Sequence, residues 1–334
     1  VKKIEENLEP FLFVMGVAAA LISGIMTKEL IMEALHEPIM IATAVLVAGA
    51  LFFIFRNQFA AFMDKVYRVI PVPVVVFIII IVLGLCSSII TAIVASIILV
   101  EVITLLPLAR KHKIVVCVLA CYSIGFGAAL TPIGEPLATI AISKLNQDFF
   151  FLLNLLGRFI IPAVVIIAAL GAAYTVWAMR GQEKLDTSDI AATVEEETMS
   201  DDEEMEQETW KGIIIRALKV YLFVMALVFL GEGFYPLIDK YILVLDYRLL
   251  YWVNMISAIL DNATLAAAEI SVEMSILQIE AILMGLIIAG GMLIPGNIPN
   301  IISASKLRIG SKEWAKIGVP FGLVVMVIFY LILF

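Results

Sequence analysis

Histidine and cysteine are scarce in this sequence: its 334 residues include two His and three Cys. His36 and His112 are expected in loops, so no histidine proton relay is visible. Cys86, Cys117 and Cys121 all lie in apolar runs and read as small hydrophobes, with no disulfide framework to build. Cys117 and Cys121 would share a helix face, but two thiols with no nearby His make a poor metal site. No Ser/His or metal-ligand constellation occurs in the apolar runs, which disfavours an intramembrane hydrolase. No nucleotide-binding loop is present, so ATP-driven pumping within this chain is not expected. Neither an enzyme nor a bound cofactor is anticipated. Charge is scarce as well, at 16% of residues against roughly a quarter in soluble domains. What fills the space is apolar: 63% of the chain, with a mean hydropathy of +1.07. A soluble fold could not cover that much core, so the composition predicts an integral membrane protein whose surroundings are lipid.

The formal charge of −8 belongs to one segment. Twelve acids and a single Lys lie between Glu183 and Glu208, and the remaining 18 acids face 21 bases. That stretch reads as a polar, disordered linker, and nothing in the balance points to nucleic acid. Residues 1–10 are acidic and lead into further apolar runs, so no cleavable signal peptide is expected.

A crossing helix needs roughly 20 apolar residues. Residues 11–26, 39–55, 149–179, 212–231 and 317–334 qualify as single spans. Residues 72–108 and 247–277 are too long for one span and have small, polar centres, so each predicts a helical hairpin. Residues 114–145 and 279–307 are apolar helices that run into Gly and Pro. With both hairpins entering and leaving on one side, 16 of the 22 bases fall on one face, including Arg110, Lys111, Lys113, Lys306, Arg308 and Lys312. The positive-inside rule then puts the amino terminus and linker in the cytoplasm and the carboxyl terminus outside the plasma membrane.

The halves repeat each other. Gly127-Ala-Ala-Leu130-Thr-Pro132-Ile-Gly-Glu-Pro136 matches Gly290-Gly-Met-Leu293-Ile-Pro295-Gly-Asn-Ile-Pro299, and Ser87-Ser-Ile-Ile-Thr91 aligns with Ser257-Ala-Ile-Leu-Asp261. Both broken segments continue to Ser-Lys-Leu, with the offset shortened by one. The expected architecture is an all-α membrane protein built as an inverted-repeat secondary transporter with two hairpins and two broken helices. Residues 1–37 form a leading helix and external loop, 38–180 the first repeat, 181–210 the linker and 211–334 the second repeat. Sites in such transporters sit near the midplane, between the repeats.

Irregular backbone in hydrocarbon is tolerated only where protein or a wet cavity receives its polar groups. Thr131, Gly134 and Glu135 in the first break, and Asn297 and Asn300 in the second, are therefore candidate ligands, with the freed carbonyls beside them. Paired proline kinks made for packing are the alternative. Asp261-Asn262 stands in the second hairpin, where a carboxylate costs roughly 2.5–3.5 kcal/mol to insert. Asp261 reads as an ion or proton site or as a helix cap, and Asn262, Ser257 and Thr264 add oxygens that suit Na⁺. Glu135 reads as its counterpart or as a protonated carboxyl bonded within the break. Arg158 is expected to snorkel, Glu101 to stand at a mouth, and Lys144 and Lys306 to anchor at the interface. Glu269, Glu273 and Glu280 read as an external solvated rim.

These motifs resemble the ion transporter superfamily. Gly127 to Pro136 is similar to its Gly-x-x-Leu-Thr-Pro-x-Gly-Asn-Pro segment, and Ser257 to Asn262 to the Ser-Ala-x-x-Asp-Asn segment of its sodium/proton antiporters. Arsenite, citrate and dicarboxylate carriers belong to the same superfamily, and the nearest likeness is to a mostly archaeal family of cation transporters. The resemblance implies an elevator mechanism and a homodimer in the lipid bilayer. Ser88 and Thr91 stand where related carriers often have Asn, and Glu135 replaces the usual Asn. An added acid suits a cation, so the leading expectation is Na⁺/H⁺ antiport, with Asp261, Asn262 and Glu135 holding the transported Na⁺. The alternative is a Na⁺-coupled symporter whose small anion is received by Ser87, Ser88, Thr91 and Asn297.

Overall fold

The computed structural model describes residues 8–36, isolated positions between 38 and 65, and residues 69–185, 210–241, 245–260, 262–270, 272 and 274–334. Most of the acidic stretch and of the expected span 39–55, together with Asp261 and Glu273, lie outside the described residues, as does the side chain of Thr264.

Every regular element among the described residues is helical. The first half comprises α1 (Leu8–Ile22), α2 (Val72–Ile90), α3 (Ala92–Leu105), α4 (Arg110–Ala128), α5 (Pro136–Leu145) and α6 (Phe151–Leu185). The second comprises α7 (Trp210–Tyr241), α8 (Tyr247–Val253), a 3₁₀ turn (Asn254–Ala258), α9 (Asn262–Glu269), α10 (Ile276–Gly290), α11 (Ile298–Lys306) and α12 (Ser311–Leu333). A second 3₁₀ turn, Ile294–Gly296, lies between α10 and α11.

Local chemistry sets these boundaries. Pro71 and a proline in the first turn launch α2, whose Val/Ile run then propagates without a breaker. Thr91 stops it: φ is 74° and ψ is 151°, and its Oγ1 accepts from the Val94 amide to start α3. Pro136 occupies the first position of α5, and Asn146 ends that helix in the left-handed region at φ 50°. A Ser275–Gln278 capping box starts α10.

Among the described residues, five helices are long and apolar enough to cross a membrane: α2, α4, residues 151–180 of α6, residues 210–230 of α7, and α12. Ile161, Val165, Ile166 and Leu170 on α6, and Val324, Val327, Ile328 and Leu331 on α12, are exposed. A stripe of that chemistry suits acyl chains. At 19 residues, α2 alone spans about 28 Å, nearly the hydrocarbon thickness, whereas the 14-residue α3 spans about 21 Å. The two pack together as the arms of an unequal hairpin.

Helices α2, α4 and α6 pack on one another, and α1 lies along α7. The halves are joined reciprocally. Hairpin arm α3 packs on α11 of the second half, and α9 packs on α5 of the first.

Candidate functional site

Two seven-residue interruptions, 129–135 and 291–297, carry the irregular backbone. Their geometry matches. The residue after each long helix, Ala129 or Gly291, has φ/ψ of −72°/−8° or −75°/−18°. The residue before each short helix, Glu135 or Asn297, has −154°/160° or −157°/145°. Position by position, Ala128 therefore pairs with Gly290 and Glu135 with Asn297, one residue away from the match that the prolines suggest. Both N-cap side chains are buried, at 5% and 3% exposure, and neither caps its own helix.

The glycine before each N-cap is forced by close approach. A Cβ on Gly134 would stand 2.7 Å from the carbonyl carbon of Ala128, and one on Gly296 would stand 2.6 Å from the carbonyl oxygens of Gly290 and Ser257. Each break thus folds back onto the end of its own long helix, and the second also touches the hairpin.

In the first half the hairpin tip and the break are bonded together. The Ala92 amide donates to Gly134 O at 2.8 Å, and Thr131 Oγ1 donates to Ser88 O. Ser87 Oγ donates to Gly84 O at 2.6 Å and to Ile124 O at 3.0 Å, and Ser88 Oγ donates to Leu85 O at 2.7 Å. In the second half Ser257 Oγ donates to Leu286 O at 3.2 Å, which is the position matching Ile124. Asn300 Nδ2 donates to Gly290 O and Leu293 O, both at 2.8 Å. The Asn262 amide packs 3.6 Å from where a Cβ on Gly290 would stand. Ser87, Ser88, Thr91, Thr131, Gly134 and Glu135 therefore gather at one break, and Ser257, Asn262, Asn297 and Asn300 at the other. The two groups meet where the Asn297 amide lies against Gly125 of α4, in the space a Cβ there would occupy.

The donor inventory is lopsided. The hydroxyls of Ser87, Ser88, Thr131 and Ser257 and the amide of Asn300 all donate to backbone carbonyls, leaving oxygen lone pairs as the remaining capacity. Asn300 Oδ1 is buried without a hydrogen-bond partner among the described residues. Asn262 Nδ2 is a buried donor without such a partner. Glu135 adds a carboxylate at the N-terminus of α5.

Other charged residues differ from expectation. Glu269 and Glu280 are not a solvated rim: they are 1% and 4% exposed. Glu280 lies one turn into α10, on an otherwise apolar face, and Arg158 reaches it at 2.5 Å while lying 4.5 Å over the Phe159 ring. Arg158 keeps 64% of its side chain exposed while it pairs with Glu280. Lys306 is no interfacial anchor; it forms an ion pair with Glu101, both side chains being about one-tenth exposed. His112 stands in the first turn of α4 rather than in a loop, because the basic run Arg110 to Lys113 opens that helix; its Nδ1 lies 2.8 Å from the Tyr174 hydroxyl. His36 is helical too. Arg110 bonds Glu313 at 2.5 Å and Arg308 O at 3.0 Å, placing the starts of α4 and α12 on one side.

Asn254 and Gly125 were not visible as site residues. A lone Asn before a Ser-Ala segment has no spacing partner, and glycine next to an apolar run signals only close packing. Among the described residues, no group of three or more His, Cys, Asp or Glu could hold a metal ion. No curated protein matches the chain. A family match runs from residue 1 to residue 334, and by it the chain belongs to DUF1646, a family described as a protein of unknown function.

Proposed function

We propose that the protein is a secondary active cation transporter that exchanges Na⁺ for H⁺ across the membrane. The observation that supports this reading is that the hydroxyls of Ser87, Ser88, Thr131 and Ser257 and the amide of Asn300 already donate to backbone carbonyls. An anion needs donors, whereas a hard cation such as Na⁺ needs oxygens. The breaks offer lone pairs from Ser87, Ser88, Thr131, Ser257 and Asn300 together with carbonyls where α4 and α10 end. The carboxylates are Glu135, at the first break, and Asp261, one residue before the helix that starts at Asn262.

The matching breaks and the reciprocal packing of α3 on α11 and α9 on α5 support two repeated units, inverted in the membrane, with the ion held between them. Cation release leaves two carboxylates near one low-dielectric space, and ionising both there is costly. Protons then take the cation's place, and alternating access of the loaded unit couples the opposite flows. Elevator movement follows if the hairpins and broken helices travel together.

The test is reconstitution into liposomes with an internal pH dye, applying Na⁺, Li⁺, K⁺ and carboxylate gradients separately. A Na⁺ gradient should drive proton movement, Asp261→Asn should abolish it, and Glu135→Gln should shift its pH dependence or its apparent Na⁺ affinity. Full exchange by Asp261→Asn would refute the mechanism. Na⁺-coupled uptake of a carboxylate with no proton flux would replace it with symport.

A further inference from the structure

Glu269 closes α9, seven residues beyond Asn262, so it lies about 10 Å along the helix from the second hairpin's tip. It is 1% exposed, and neither carboxyl oxygen has a hydrogen-bond partner among the described residues. Its polar neighbour is Asn254 in the 3₁₀ turn, fully buried, whose Oδ1 and Nδ2 also complete no hydrogen bond. Asn254 thus lies close enough to act on the carboxyl, although the pair falls short of bonding geometry. Four buried polar atoms with no hydrogen-bond partner among the described residues lie close together within one hairpin.

Counting donors decides what such a pair holds. With Glu269 ionised, three of the four atoms are acceptors and only Asn254 Nδ2 can donate. Asn254 Oδ1 would then point its lone pairs at a buried carboxylate, and an unpaired buried charge costs several kcal/mol. Adding one proton makes two donors and two acceptors. The acid O–H donates to Asn254 Oδ1 and Asn254 Nδ2 donates to the carboxyl oxygen, closing a two-bond ring. No charge remains.

Among the described residues no ion pair reaches Glu269. Helix α9 packs against α5, α7, α10 and the 3₁₀ turn. Their described charged groups are Glu135 and Lys144 on α5, Lys211, Lys219 and Glu232 on α7, and Glu280 on α10, already paired with Arg158. Neither Glu269 carboxyl oxygen takes a hydrogen bond from any of them. Nor does the hairpin fold require the pair. By the alignment of Ser87 with Ser257, the first hairpin puts Gly84 and fully buried Leu99 at the matching positions.

We infer that Glu269 and Asn254 form a proton-binding site inside the second hairpin, separate from Glu135 at the first break. The inference deepens the antiport reading by giving exchanged protons a station between the hairpin's base and its tip. Binding forms the O–H bond on Glu269 and release returns the proton to water, with no other bond changed.

Infrared difference spectroscopy of the purified full chain in lipid bilayers tests this directly. A pH titration of the parent should show a buried carboxylic-acid carbonyl band that persists at neutral pH and is lost in alkali. Glu269→Gln should remove that band while folding normally, since Gln and Asn can close the same two-bond ring. Asn254→Leu should keep the acid but shift its band to the position of a carbonyl lacking a hydrogen-bond donor. If Glu269→Gln fails to fold, the Asn254→Leu shift alone decides. A parent spectrum in which Glu269 is a carboxylate throughout, or in which Na⁺ rather than H⁺ governs the band, overturns the inference. The band with no Na⁺-driven proton flux in liposomes would sink antiport and leave this site standing. Flux without the band would do the reverse.

Discussion

Gly127→Ala perturbs the tightest contact between α2 and α4. A Cβ at position 127 would stand 2.6 Å from the carbonyl carbon of Gly84, closer still to that carbonyl's oxygen, and 3.0 Å from Ser87 Oγ. Carbon atoms rest at about 3.5–4.0 Å, so the helices must part by about 1 Å at this point. The obstacle is backbone, which cannot rotate aside. Overpacking of this kind costs about 2 kcal/mol. Separation also stretches the bonds from Ser87 Oγ to Ile124 O at 3.0 Å and from Ser123 Oγ to Ile80 O at 2.9 Å. Interhelical hydrogen bonds in membranes average about 0.6 kcal/mol, so the pair adds about 1 kcal/mol. The expected loss is therefore about 3 kcal/mol, measurable as an earlier midpoint in SDS-titration unfolding from mixed micelles. Gly125→Ala, half a turn away, is the control. There the new Cβ meets only the end of the Asn297 side chain, which can turn away. Its stability should change by less than about 1 kcal/mol, while Na⁺ affinity in the liposome assay falls. Equal midpoints for Gly127→Ala and the parent would refute the α2–α4 contact described here.

Lys306→Met removes one partner of the buried Glu101 carboxylate and should cost about 1–3 kcal/mol, whereas the double variant with Glu101→Leu should recover part of it; a thermodynamic cycle measures both. Thr91→Val keeps the positive φ but loses the Val94 cap and should destabilise by about 1 kcal/mol. Thr91→Gly relieves about 1–3 kcal/mol of backbone strain against that loss and should be no less stable than the parent in the same assay. In a background without Cys86, Cys117 and Cys121, single cysteines at Lys111 and Lys312 should label from the same side, because Arg110 bonds Glu313 and Arg308 O. Replacing residues 186–208 with a neutral flexible linker should leave Na⁺-driven proton movement nearly unchanged.

Proline, glycine and serine made the interruptions legible. Pro136, Gly134 and Gly296 cannot sit in continuous helix at those places, and the polar centre of residues 86–91 predicted a turn that the structure puts at Thr91. Register was less legible. Pro132 and Pro295 outweighed the subtler fact that Ala128 and Gly290 each end a helix, so Glu135 found its partner, Asn297, only in the backbone angles. Charges misled most. Glu269 and Glu280 look solvated in a chain that surrounds them with Ser, Gln and Met, yet burial depends on what arrives from elsewhere in the fold. Arg158 comes from 122 residues away, and Lys306 meets Glu101 across 205. No local pattern records such distances.

The crossed packing of the two halves bears on how the chain is made. When the ribosome has released only the first half, α3 has no α11 to lie against and α5 has no α9. Both are short, at 14 and 10 residues, and α5 holds a polar helix end toward whatever surrounds it. Neither can settle in bare lipid until roughly the last third of the chain has been synthesised, so the early segments must wait beside the insertion machinery or remain loosely placed. The nascent protein's slow step is then the arrival of α9 and α11, and their docking completes both halves at once. A chain cut within residues 186–208 and expressed as two pieces should yield little of either piece alone and recover when both are made together.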